Sequence, residues 1–455
     1  MEFIHPPYQP GETIAALATP PGEGGVAVIR IAGKEAIEVA ERLFSRNVKP
    51  FKSHTAHYGW VIDQKSEKID DVLLMPMLGK RSYCGEDTIE IFCHGGSLIS
   101  RKVLDRVLQC GARAAYPGEF TFKAYINGRL DLAQAEAVQE LIGAKNERAL
   151  GQAEKQLEGS LSEKVRDFQK ELTHMAAILE AWVDFPDEGL EFASMEEIVS
   201  KLTEVKNKIT ELCDSFHDGK ILHDGLTLCL IGAPNVGKSS LMNALLDKDR
   251  AIVSATPGTT RDLLEDHLRF SGLNFKILDT AGIRDTEEEI EKEGIRRSKK
   301  AMEIADLILV VLDVQHPQLP PFWEEIPQDK AVIAWNKCDL NYDGTTLPSL
   351  QHSCMVSALQ KSGINELKAT IEKVIWHKGP PSTEEILVTN VRHKEALQEA
   401  HEALSRLIKG LETGVSPEFM ALDIRTALGA LGKILGTNIS EDVLSAIFST
   451  FCIGK

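Results

Sequence analysis

Eight residues, GAPNVGKS from Gly232 to Ser239, have the types and spacing needed to hold a polyphosphate. With no β-carbon at Gly232 or Gly237, the backbone can curl until successive N–H groups point at phosphate oxygens. Asn235 and Val236 lie inside that loop, and Ser240 begins the helix that should follow it. Lys238 brings a compact positive charge to the outer phosphates, and the Ser239 hydroxyl can ligate Mg2+. Asp279 ends the apolar run NFKILD, where it can hold Mg2+ directly or through water. Thr280, Ala281 and Gly282 follow, and the N–H of Gly282 can meet a third phosphate. Thr260, in TPGTTRD, lies between the two motifs as a second hydroxyl ligand for Mg2+.

The base is named by NKCD, with Asn336, Lys337 and Asp339, after the buried run AVIAWN. A carboxylate at Asp339 accepts two bonds from the N1–H and N2–H2 edge of guanine. Adenine lacks that donor pair and would leave the carboxylate unpaired, a loss of several kcal/mol in order of magnitude. SAL, with Ser357, Ala358 and Leu359, is expected to back the guanine with a backbone N–H. Four ordered motifs imply GTP. The residue after Gly282 is Ile283, which cannot orient a water as a glutamine would. Asp285, Glu287, Glu288, Glu289, Glu291 and Glu293 follow as an acidic run, and local pattern does not choose among them.

These residues need a parallel sheet to carry them. LTLCLIG, NFKILD, LILVVLD and AVIAWN read as fully buried strands alternating with helices over 219–379, an inserted α/β P-loop domain. The first 125 residues read as an α+β domain, with strands in GGVAVIRIAG, HYGWVI, DVLLMPML and TIEIFCHGG and helices in AIEVAERLF and LISRKVLDRVLQC. Residues 126–218 and 380–455 read as the two parts of an α-helical bundle domain. Leu157, Leu161, Val165, Phe168, Leu172, Met175, Leu179 and Trp182 predict one stripe on one long helix. Leu397, Ala400, Leu404 and Leu407 predict another, and Ser416-Pro417 and Ser440 mark helix starts.

The totals narrow the class. The chain has 455 residues and a net charge of −17, which disfavours non-specific nucleic-acid binding. No run approaches the ~18 apolar residues of a membrane span. The first twenty residues lack a basic-then-apolar order, and the eight cysteines are scattered without a C-x-x-C pair, so a cytoplasmic protein with reduced thiols is expected.

ATPPGEGGVAVIRI, GEDTIEIFCHGG, PGEFTFKAYINGRLDLAQAEA and the terminal FCIGK resemble the MnmE (TrmE) family of tRNA modification GTPases over essentially the whole chain. The resemblance implies Glu291 as the catalytic residue that orients the attacking water. It implies K+ in place of an arginine finger, held by Asn235, Ser254, Thr256 and Thr259, with Ser254 and Thr259 also at the nucleotide. Arg261 and Arg284 are the alternative positive charges. It implies 5-formyltetrahydrofolate or another one-carbon tetrahydrofolate at Arg30, Glu90, Arg129 and Lys455, where a glutamate can grip the pterin N–H edge and cations can pair with carboxylates. A cysteine such as Cys452 is ordinarily inert packing; the resemblance implies a catalytic thiol. The implied enzyme is a homodimer that forms a heterotetramer with the FAD-dependent MnmG subunit and modifies the wobble uridine of tRNA. A ribosome-assembly GTPase switch shares the four GTP motifs but predicts a basic RNA-binding appendage.

Overall fold

The computed structural model describes residues 11–184, 194–246, 267–270, 272–279, 300–340, 347–376, 379–382, 384–413 and 417–455. They form two compact units. One comprises Met1–Ile142, Glu154–Asn207 and Ala396–Lys455; the other comprises Gly143–Ala153 and Lys208–Glu395.

The first unit opens with β1 (Ile14–Leu17), β2 (Val26–Ala32), α1 (Ala36–Glu41), β3 (His57–Ile62), β4 (Lys68–Met77), β5 (Thr88–His94), α2 (Ser97–Gln109) and β6 (Arg113–Ala114). The strands make one sheet in the order β3-β4-β5-β2-β1-β6, antiparallel except for β1 with β6. Side chains alternate along β2 as the pleat requires. Ala27, Ile29 and Ile31 enter a core with Val39 and Leu43 of the α1 region and Val103 and Val107 of α2. Arg30 therefore stands on the opposite face, directly across from Glu90 in the β2–β5 register. A slip of one residue would push this arginine into the core, so burial of the isoleucines fixes where it stands.

After α3 (Glu119–Ile126) the chain turns helical: α4 (Leu132–Gly143), α5 (Glu147–Glu158), α6 (Ser160–Asp184) and α7 (Met195–Asp214). The expected single long helix is two. Gly159 takes φ +98° between α5 and α6, a left-handed conformation that glycine adopts without penalty. Leu157 thus lies in the last turn of α5, while Leu161, Val165, Phe168, Leu172, Met175 and Leu179 form the buried stripe of α6. Far along the chain lie α11 (Val391–Thr413), α12 (Pro417–Leu435) and α13 (Glu441–Ser449), preceded by α10 (Ile364–Ile375) of the second unit. α12 packs on α6, so segments from before and after the α/β insertion share one helical core.

The second unit carries α8 (Phe216–Asp224), β7 (Leu226–Ile231), α9 (Lys238–Leu245), β8 (His267–Phe270), β9 (Leu273–Asp279), β10 (Leu307–Asp313), β11 (Ala331–Asn336) and β12 (Ser353–Met355). The sheet order is β12-β11-β10-β7-β9-β8, parallel except for the β8–β9 hairpin. Every residue of β10 is buried, as expected of a central strand covered on both faces. The register pairs Val310 with Ile231, Leu230 with Asp279, and Asp313 with Asn336. The carboxyl ends of β7, β9, β10 and β11 thus open on one edge, where ligands of open α/β sheets bind.

Candidate functional site

At that edge β7 leads into the phosphate loop and the loop into α9. The loop needs its two glycines for different reasons. A β-carbon on Gly232 would stand 2.5 Å from the Val311 carbonyl oxygen, so only glycine lets the loop leave β7 against β10. Gly237 has φ +95°, and a β-carbon there would meet Asn336 Nδ2 at 2.3 Å. Asn235 also takes positive φ, +62°. Lys238 Nζ donates to the carbonyls of Gly232 and Ala233 at 2.7 and 3.0 Å, which folds the ammonium over its own loop. Ser239 and Ser240 are exposed on the first turn of α9, with the helix N-terminus and its positive dipole end behind them.

Asn336 does more than mark the base loop. It is 2% exposed. Its Nδ2 donates to Val236 O at 2.8 Å, and its Oδ1 accepts from Ala358 N at 3.0 Å. One side chain therefore ties the phosphate loop, the NKCD loop and the SAL loop together. Of the backbone amides in SAL, that of Ala358 donates to Asn336 in this structure. Ser357 is fully buried and its Oγ accepts from Gln360 N at 3.0 Å, while Leu359 is exposed. Lys337 has φ +67° and reaches Asp313 with Nζ 2.7 Å from Oδ2. Asp339 is half-buried in the turn that follows β11. Asp279 ends β9, its backbone paired with Leu230 of β7. Ser254, Thr256, Thr259, Thr260, Thr280, Ala281, Gly282 and Glu291 lie outside the described residues.

The first unit gathers a second set of chemical groups on the open face of its sheet. Arg30 Nε and Nη2 both reach Glu90 Oε1 at 2.9 Å. Arg30 Nη1 donates to the carbonyl of Gly454 at 3.0 Å. The guanidinium is flanked by the rings of Phe120 and Tyr83, with centroids 5.6 and 5.7 Å away. The chain end is seated by α3. Gly118 N donates to Cys452 O at 3.3 Å and Phe120 N to Lys455 O at 3.2 Å. Burial first, and then the nearby Arg30 charge, lower the Lys455 ammonium below the ordinary lysine range, while Glu90 and Cys452 oppose the shift. Cys452 itself is exposed. Arg30, Glu90, Gly454 and Lys455 are therefore neighbours although the chain separates them widely. Arg129 is exposed and its stem lies beside Gly85, where a β-carbon would meet its Cγ at 3.2 Å.

The seat is itself braced. Arg113 bridges Glu12 at 3.0 Å and Glu119 at 2.6 Å, and Glu119 accepts from Tyr116 N at 2.8 Å. The fully buried Lys123 Nζ is 2.7 Å from Glu86 Oε2 and donates to Glu12 O at 2.7 Å. Sequence reasoning missed Tyr83, Phe120, the Gly454 carbonyl and Asp313. None of them carried a local sequence signal; in the structure Gly454 takes φ +93°, a left-handed conformation that glycine adopts without penalty.

The family description "MnmE helical domain" matches residues 132–452, and "GTP-binding protein TrmE N-terminus" matches residues 13–129. The tRNA modification GTPase MnmE of Protochlamydia amoebophila (strain UWE25) is 64% identical over 460 residues, covering 100% of both chains. Those of Alkaliphilus oremlandii (strain OhILAs) and Geobacter metallireducens are 41% and 42% identical, each covering 98% of this chain and 99% of the relative. With a phosphate loop, a guanine loop and a TrmE-type N-terminal sheet in one chain, and identity running from end to end, this chain belongs to the MnmE family of tRNA modification GTPases.

Proposed function

We propose that the protein hydrolyses GTP to drive addition of a carboxymethylaminomethyl group to C5 of the wobble uridine of certain tRNAs, together with an FAD-dependent MnmG partner. The observation that carries this reading is the Arg30–Glu90–Gly454–Lys455 cluster in the same chain as the guanine-nucleotide loops. A carboxylate acceptor, a guanidinium and an ammonium on a half-buried sheet face suit the pterin N–H edge and the carboxylates of a reduced folate. Glu90 suits the pterin edge with Arg30 bracing it, and Arg129 and Lys455 suit the acidic end. The bound folate would supply the one-carbon unit. Residues 1–125 would bind it and join two copies, and residues 219–379, inserted in the chain after helical segment 126–218 and before 380–455, would hold GTP.

The nucleotide loops fit Mg2+ at Ser239, with Thr260 and Asp279 completing the set. The exposed Asn235 fits K+, with Ser254, Thr256 and Thr259 as further oxygens. K+ would place positive charge between the phosphates as the two GTPase domains meet. Glu291 would orient the attacking water, directly or through a second water. The charge distribution supports reaching tRNA mainly through the partner. Arg166, Arg406, Arg425 and Lys433 are paired with Asp131, Asp423, Glu180 and Glu399, at 2.6, 3.0, 2.6 and 2.5 Å. A cytoplasmic site of action fits this role, and among the described residues no helix is long and apolar enough to cross a membrane.

The test is complementation of a strain lacking the gene, with wobble-uridine nucleosides measured by mass spectrometry. The wild-type chain should restore the modified nucleoside, and Glu90→Gln should fail to. Unmodified tRNA with the wild-type chain would instead favour a regulatory switch. Glu291→Ala should lower kcat by about a hundredfold or more while GTP binding persists. Phosphate release in KCl should exceed that in NaCl at equal ionic strength, and equal rates would return the role to Arg261 or Arg284.

A further inference from the structure

Asp313 was not singled out by any motif, yet it stands at the centre of the nucleotide edge. It ends β10, the strand between β7, which carries the phosphate loop, and β11, which carries NKCD. It is 8% exposed. Both carboxylate oxygens are used: Oδ1 accepts from Gln315 N at 2.9 Å, and Oδ2 lies 2.7 Å from Lys337 Nζ. The backbone locks the same junction, with Asp313 opposite Asn336 and Val314 N donating to Asn336 O at 3.1 Å.

The path of Lys337 follows from these contacts. Its Cα sits just past β11 and its ammonium sits at the end of β10, so the side chain runs from the base loop toward the phosphate loop. A guanine nucleotide must span the same gap, with phosphates at Gly237–Lys238 and base at Asp339. The lysine methylenes then make an apolar wall along the nucleoside, and the ammonium stays satisfied beyond it. Left-handed backbone at Lys337 aims the chain along this route but leaves four side-chain torsions to fix.

We propose that Asp313 is a positioning residue of the nucleotide pocket, anchoring Lys337 so that its stem forms the wall against which the guanine nucleoside lies. Charge on Asp313 supports the anchor. Burial opposes ionisation, but the Lys337 bond and the Gln315 amide outweigh it and hold the carboxyl below its ordinary range.

The experiment uses the full-length chain and fluorescently labelled GDP, with dissociation followed by stopped flow. Asp313→Asn should speed release roughly tenfold, as loss of one charge-assisted bond predicts. Lys337→Met, which keeps the stem and removes the anchor point, should do the same. The double variant should release no faster than Lys337→Met alone, because one interaction is lost either way. Asp313→Glu, which keeps the charge on a longer arm, should fall between Asp313→Asn and wild type. The ratio of GTP to xanthosine triphosphate affinity should hold in Asp313→Asn, since Asp339 makes that choice. Release within twofold of wild type, or fully additive effects in the double variant, overturns the assignment. If Asp313→Asn does not fold, as judged by thermal unfolding, Lys337→Met alone decides, and unchanged release in that variant overturns it.

Discussion

In the second unit, the groups proposed to meet a nucleotide come from short runs at the ends of neighbouring parallel strands: 232–240 after β7, 336–339 at the end of β11 and 357–359 after β12. In the first unit, Arg30 meets Glu90 across two antiparallel strands and meets Gly454 from the far end of the chain. The nucleotide site is local because its parts are backbone loops. A phosphate cradle is made by consecutive N–H groups, so its residues must be adjacent in sequence. The other site is made of side chains that converge on a sheet face. Its partners need only be adjacent in space, and strand register and a docked tail do the work that sequence proximity does in the GTPase unit.

The largest expected break in this comparison is at Asp339. Asp339→Asn should weaken GTP binding by about a hundredfold or more and gain xanthosine triphosphate, whose edge suits an amide. Competition against a labelled nucleotide measures both. Folate affinity without nucleotide should be unchanged, because the cluster around Arg30 lies in the other unit. Equal affinity of the variant for the two nucleotides would remove Asp339 from base recognition.

This contrast explains what could be read from the chain. The strands β2, β3, β4, β5, β7, β9, β10 and β11 were legible as apolar runs or alternations, and the loops after β7 and β11 as motifs. β1, with sequence IAAL, and the two-residue β6 were not, since neither is long or β-branched enough to stand out. The break at Gly159 was hidden because the apolar spacing continues across it. Arg30 and Glu90 gave no local signal; resemblance alone pointed to them, and the β2–β5 register now places them face to face. Tyr83 and Phe120 could not be anticipated, because nothing in sequence says which aromatic rings will flank a given guanidinium.

A middle-sized effect sharpens the claim that the first site depends on a docked tail. Gly454 has φ +93°, and a β-carbon there would lie 2.6 Å from Leu17 O and 2.8 Å from Ala18 Cα. Both are backbone atoms and cannot swing aside. Gly454→Ala should therefore unseat the tail and deprive Arg30 of its carbonyl acceptor. Strain of this kind costs about 1–3 kcal/mol, so folate affinity should fall roughly tenfold. Calorimetric titration with 5-formyltetrahydrofolate checks it, and wild-type affinity would mean that the tail is a bystander.

The smallest effect is a pH dependence that only the first site should show. Lys455 loses its proton below the ordinary lysine range, chiefly because it is buried and secondarily because Arg30 is near. Between that lowered value and the unfolded value of 10.5, the folded state holds fewer protons than the unfolded state. Stability from this group therefore rises with pH through the window. Affinity for the proposed anionic folate should move the other way if the ammonium grips it, since the cation is lost over the same range. Opposite slopes from one group separate its role from general alkaline loosening, which would weaken binding and stability together. Wild type should show a few-fold fall in folate affinity toward alkaline pH while the first unit's unfolding temperature gains a small increment. Lys455→Met has no proton to lose and should flatten both slopes. If the variant keeps the wild-type affinity profile, the titrating group lies elsewhere and Lys455 is not part of the grip.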